Sequence, residues 1–215
     1  MVKRMFCLNA LMPAVAFFGV LTLRADSVSL VSVDTTSVAG TSGFLDFTFD
    51  PGPFLTQNAF ASVAAFSTDG AVGAPAVSGD VTGTLPPSII LNNDTPFNDY
   101  FTAFTFGDTL SFTLTLGGPA VDSPDGVAAS GSTFAFSMFA GDGSTPVLTT
   151  DTLDGFAFTV DISLDGTTKL TNFSDPTSVE SAVSAVPEPA TGWLCGVGMA
   201  LLISLRRYYS AVMPR

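Results

Sequence analysis

Phe156-Ala157-Phe158-Thr159-Val160-Asp161-Ile162-Ser163-Leu164 is the stretch that decides the fold class. Phe156, Phe158, Val160, Ile162 and Leu164 alternate with Ala157, Thr159, Asp161 and Ser163. A strand with this period of two turns one apolar face inward and one polar face to water. The pattern returns at Leu45, Phe47 and Phe49 against Asp46 and Thr48, and again at Phe104 and Phe106 beside Thr105. It returns at Phe112, Leu114 and Leu116, and at Phe134, Phe136 and Met138. Turn-forming clusters separate these runs: Asp50-Pro51-Gly52-Pro53, Asp69-Gly70, Pro86-Pro87, Gly117-Gly118-Pro119, Asp142-Gly143, Asp154-Gly155 and Asp165-Gly166. No stretch between Asp26 and Ala185 carries a 3.6-residue period. Short strands at this spacing predict an all-β fold, an antiparallel two-sheet sandwich or jelly roll. Burying each inward Phe contributes roughly 1.5–3 kcal/mol, enough in sum for a core without disulfides. No repeat of fixed period is visible, which argues against a solenoid or propeller.

Composition removes several classes of chemistry. The 215 residues include 20 Phe, 2 Cys and no His. Without His there is no Ser-His-Asp or Cys-His catalysis and no His-ligated metal from this chain. Charge is low and unevenly placed. Lys3, Arg4, Arg24, Arg206, Arg207 and Arg215 lie near the termini. Between Asp26 and Ala185 only Lys169 stands against seventeen Asp and Glu180, a balance of 1 − 18 = −17. So acidic a middle speaks against nucleic acid as a partner, because phosphate needs clustered Lys and Arg. Both cysteines, Cys7 and Cys195, also fall in the end segments.

The two ends read as export and membrane signals. Residues 1–25 combine Lys3 and Arg4, an apolar run from Met5 to Leu23, and Ala25 before Asp26. That is the order of a signal peptide, with cleavage expected after Ala25. Gly192 to Leu205 is apolar and uncharged, and Arg206 and Arg207 stop it. As a helix over about 190–205 it approaches the length needed to cross a bilayer, helped by snorkelling arginines. Trp193 and the pair Tyr208–Tyr209 suit the two interfaces, and the arginines place the C-terminus in the cytoplasm. The acidic middle is then expected outside, in agreement with the N-terminal signal.

Immediately before that span stands Val186-Pro187-Glu188-Pro189. Pro-Glu-Pro, a short apolar helix, an arginine cluster and the chain end resemble, in that order, the PEP-CTERM sorting signal. The resemblance covers about the last 30 residues. It implies processing by a membrane-embedded exosortase in a Gram-negative bacterium that makes exopolysaccharide. Pro187 and Pro189 lack backbone N–H groups and hold the site extended, as a protease requires. Glu188 would be the side chain recognised. The tail after Arg207 is longer than the family leads one to expect. The phrases Gly43-Phe44-Leu45-Asp46-Phe47, Gly79-Asp80-Val81-Thr82-Gly83 and Asn98-Asp99-Tyr100-Phe101 also resemble domains found upstream of such signals, with no activity implied.

The expected organisation is a signal peptide (1–25), a β-sandwich (26–174), a flexible small-residue linker (175–185) and the sorting segment (186–215). Calcium is weighed as a ligand because Asp and amide oxygens are what it takes. The candidates are Asp94, Asn98 and Asp99 in one cluster and Asp122 and Asp125 in a second. Neither has EF-hand spacing, and Asn, Asp, Pro and Gly also simply make turns. A glycosidase needs two facing carboxylates, but Asp46, Asp99 and Asp161 fall on expected wet faces or loops. The middle has no Trp or Arg, and Tyr100 is its one candidate for an exposed sugar-stacking ring. The sequence therefore predicts a non-catalytic exported protein of the cell envelope or extracellular matrix, without a required cofactor. The alternative is a carbohydrate-binding module, Ca²⁺-assisted, for the exopolysaccharide.

Overall fold

The alternating runs are strands in the computed structural model, which describes residues 26–182. The expected signal peptide 1–25, the motif Val186–Pro189, the expected membrane span 190–205 and the pair Arg206–Arg207 lie outside the described residues. Twelve strands follow one another: β1 Ser27–Asp34, β2 Ser42–Pro51, β3 Phe60–Thr68, β4 Ala71–Ser78, β5 Val81–Thr84 and β6 Ser88–Asn92. Then come β7 Asp99–Thr105, β8 Thr109–Gly117, β9 Ser132–Ala140, β10 Phe156–Ile162, β11 Thr168–Asn172 and β12 Thr177–Ala182. One helical turn, α1 Pro119–Asp122, links β8 to the loop before β9. Among the described residues no helix is long and apolar enough to cross a membrane.

The fold is all-β, with two antiparallel six-stranded sheets. The first runs β12-β1-β8-β3-β6-β5 and the second β11-β10-β9-β2-β7-β4. Pairing is nested: β5 with β6, β4 with β7, β3 with β8 and β2 with β9, alternating between the sheets. Their inner faces share one core. Phe112 of the first sheet meets Phe47 (5.6 Å, 74°) and Phe136 (5.3 Å, 69°) of the second, both edge-to-face. That geometry sets the positive ring edge against the negative ring face. Leu45, Phe47, Phe49, Phe134, Phe136 and Phe158 are fully buried in the same cluster. Most inward-facing residues are those the period of two selects; the exception in β10 is a bulge between Phe156 and Phe158, which puts Ala157 and not Phe156 into the core.

Three expectations are corrected. Residues 175–185 are not a linker throughout, because Thr177–Ala182 form β12 and pair with β1 from Val28↔Ala182 to Val33↔Thr177. The sandwich therefore extends to Ala182, not 174. Thr177 is buried, and its hydroxyl meets the Ser174 hydroxyl at 2.8 Å, so the turn into β12 is pinned. A small, polar sequence reads as a stalk, yet on a sheet edge backbone hydrogen bonds give it a partner. Leu164 is not part of the inward row: β10 stops at Ile162 and Leu164 is exposed in the following turn. Gly166 in that turn has φ +78°, and an added Cβ would lie 2.7 Å from Pro124 Cγ and from the Val121 carbonyl oxygen. The turn needs glycine to lie against α1. Finally, Tyr100 is not an exposed ring. It is fully buried, and its hydroxyl accepts the Leu85 N–H at 3.0 Å.

Candidate functional site

The outer face of the second sheet gathers the least expected chemistry. β2 lies between β9 and β7, so its outward residues Phe44, Asp46, Thr48 and Asp50 form the central row of that face. Asp46 is opposite Phe101 on β7 and Ser137 on β9. Asp99, two residues before Phe101, is its diagonal neighbour, within reach across adjacent strands. Asp99 is thereby the neighbour whose hydrogen bonding and charge act most directly on Asp46. Each keeps one Oδ1 shielded from water without a hydrogen-bond partner.

Electrostatics follows from that geometry. Burial, then the hydrogen bond and charge of Asp99, then the charge of Asp50, push Asp46 up to about 8. Burial also raises Asp99, while its bond to Asp46 acts in the opposite direction. Asp50 is raised by burial and by Asp99, against the stabilising N–H of Asn98 at 2.7 Å. At neutral pH Asp46 is therefore held protonated beside Asp99, because neighbouring like charges in a poorly hydrated place resist ionising together. The wet-face expectation for Asp46 is corrected: the strand faces outward, but its neighbours cover the carboxyl. One signal was available in the sequence. Asp is depleted in strands, and Asp46 interrupts the run Phe44-Leu45-Asp46-Phe47.

Beside the acids is an aromatic patch. Phe44 and Phe101 stack at 4.7 Å with 13° between ring planes, and Phe139 stands 6.2 Å from Phe101. All three are half-buried on the outer face. Farther along, Asp161 accepts the Thr133 hydroxyl at 2.7 Å and pairs in register with Lys169. Stacked on each other at that distance, Phe44 and Phe101 occupy each other's faces and leave an apolar edge beside the Asp46–Asp99 pair.

The calcium candidates are spread over separate tasks. Asn98 is buried, and its amide donates to the carbonyls of Phe49 (2.9 Å) and Thr95 (2.8 Å). Its side-chain oxygen accepts the Asp80 N–H at 2.8 Å. Those bonds fix the loop and use the amide's capacity. Asp94 accepts from Asn58 (3.3 Å), and Asp99 belongs to the Asp46 pair. Asp125 caps its own loop through the N–H groups of Val127 (2.8 Å) and Ala128 (3.0 Å). Asp122 neighbours Asp26, whose carboxyl is raised by burial first and then by Asp122. Among the described residues no three His, Cys, Asp or Glu side chains converge as a metal-binding group.

An open depression of about 370 Å³ lies on the opposite sheet, where Ala65 bulges out of β3 with φ +52°. Leu30, Phe112 and Glu180 are among its walls, so it offers one carboxylate over mostly apolar surface. Compared with known proteins, the chain matches no family model, no curated protein and no solved structure.

Proposed function

We propose that the chain is an exported, non-catalytic protein of the cell envelope or extracellular matrix, held in the membrane by its C-terminal apolar span and processed by an exosortase. The observation that carries this reading is the ordered composite of Val186-Pro187-Glu188-Pro189, an apolar run and Arg206-Arg207, paired with an N-terminal signal. The fold is compatible with it. β12 ends at Ala182, so only 183–185 separate the last paired strand from the motif. The nested antiparallel pairs wind as in a jelly roll, an architecture that presents faces and loops for binding without requiring a catalytic cleft. Export carries the domain across the inner membrane, and the C-terminus stays cytoplasmic until processing. In a host with an exosortase, Glu188→Ala is expected to leave the full-length chain in the membrane while the native chain is shortened. Identical C-terminal masses for the two proteins would refute the sorting role.

A second reading, a carbohydrate-binding module for exopolysaccharide, draws on the exposed edge of the Phe44–Phe101 stack beside Asp46 and Asp99. Calcium assistance would have to come from carboxylates that are dispersed among the loops. Retention on an exopolysaccharide affinity gel should fall at least several-fold in Phe101→Ala if this face binds sugar. Unchanged retention of a folded variant would remove the face from consideration.

A further inference from the structure

The chain enters and leaves the described domain at one corner. Val28, the second residue of β1, pairs with Ala182, the last of β12. Adjacent strands lie about 5 Å apart, so the described residues begin and end side by side. Ser27 is also tied to the start of β11 by a 3.1 Å bond between its hydroxyl and that of Thr168.

Loops at this same end carry a disproportionate share of exposed apolar bulk. Phe54 is 70% exposed, Leu55 63%, Phe97 53%, Val127 68% and Leu164 51%. Their positions follow from the topology, because β2, β6, β8 and β10 all finish at this end and β3, β7, β9 and β11 begin there. The loops are braced. Phe54 N–H donates to Ser130 Oγ at 2.9 Å, and the Leu55 carbonyl accepts from Ala129 (2.8 Å) and Ser130 (3.1 Å). Asn98 holds the Phe97 loop to the Phe49 carbonyl, and the Leu164 turn lies against α1. Among the described residues, Leu153 is the exposed large apolar side chain at the far end, and Leu30, Val77, Ile90 and Leu170 lie on strands. Apolar side chains held out on rigid loop tips are costly in water and favourable at a lipid boundary.

We infer that this end is the membrane-facing surface of the domain, with the loops bearing Phe54, Leu55, Phe97, Val127 and Leu164 resting in the headgroup layer of the bilayer that takes the C-terminal apolar span. The inference rests on the membrane reading above and specifies how the domain sits against its anchor. The loops bearing these side chains also carry Asp94, Asp122, Asp125 and Asp165 and no Lys or Arg, so zwitterionic lipid is the better partner and anionic lipid a poorer one.

The test uses the full chain with Cys7→Ser and Cys195→Ser, and one new cysteine at a time: Phe54→Cys, Val127→Cys or Leu153→Cys. All three sites are exposed, so the core is untouched. Each is labelled with an environment-sensitive fluorophore and reconstituted into phosphatidylcholine vesicles, with and without brominated lipid. Emission from positions 54 and 127 should shift to the blue and be quenched by brominated lipid, while position 153 does neither. If the chain floats with the vesicles but positions 54 and 127 stay as wet as 153, the membrane-facing surface is refuted and the anchor survives. A blue shift without quenching would mean that a second copy or another protein covers these loops, which also overturns the proposal. Failure of the chain to float would refute the anchor itself, and this inference with it.

Discussion

Asp46 shows how one residue can tie stability to pH. Its folded pKa, near 8, lies above the ordinary carboxylate value of about 3.9 in an unfolded chain. The folded state therefore binds the extra proton between those limits, and the resulting stability is complete below about pH 4. It is lost progressively as pH rises through 8, by up to about 1.4 kcal/mol per pH unit. Exposed turn aspartates act in the opposite sense. Asp142 is lowered to about 2 by the Thr145 hydroxyl and the backbone N–H groups of Thr145 and Ser144, so its contribution is lost on acidification. Stability is accordingly expected to peak at about pH 4–5, not at neutrality. Asp46→Asn should flatten the alkaline decline and raise the urea midpoint at pH 8. A variant with the native pH slope would show that Asp46 does not hold the proton. In the core, Phe112→Ala removes the ring that meets both Phe47 and Phe136, and should cost about 3–5 kcal/mol in urea unfolding.

At the scale of elements, β12 is the decisive strand. It covers the outer edge of β1 and keeps Val31 buried opposite Val179. A chain ending at Ala182 should keep the native urea midpoint, whereas one ending at Asp175 should lose about 2–4 kcal/mol and aggregate through the exposed β1 edge. Equal midpoints would mean that β12 adds nothing. The strands with Phe at alternate positions were legible because burial on one face writes a period of two into the residues. β12 was not legible, since Thr177-Ser178-Val179-Glu180-Ser181-Ala182 has one large apolar residue and owes its conformation to a neighbour distant in sequence. Tyr100 was misread for a related reason. A phenol suits both a wet platform and a buried site with a partner, and only the Leu85 N–H decides between them.

For the whole molecule, charge balance is the dominant unpaired term. Seventeen Asp and one Glu against Lys169 within residues 26–182 place like charges around a small sandwich. Self-repulsion of that kind weakens the compact state and is screened by salt. Raising NaCl from low to about 0.15 M, where the Debye length is about 8 Å, should increase the melting temperature at pH 7. Unchanged melting would indicate that the carboxylates are too far apart, or too well bonded in their turns, to repel. The amino-acid sequence by itself determined the all-β class, most of the inward row of the Phe-rich strands and the acidic balance of the middle, because each is a property of local order or of composition. Tertiary structure alone decided that Asp46 meets Asp99, that 177–182 is a strand, that Asn98 is spent on fixing its loop, and that Val28 and Ala182 lie side by side at the end that carries the apolar loops. Those facts depend on strand register and sheet order, which bring residues far apart in the chain within a few ångströms and which no local pattern encodes.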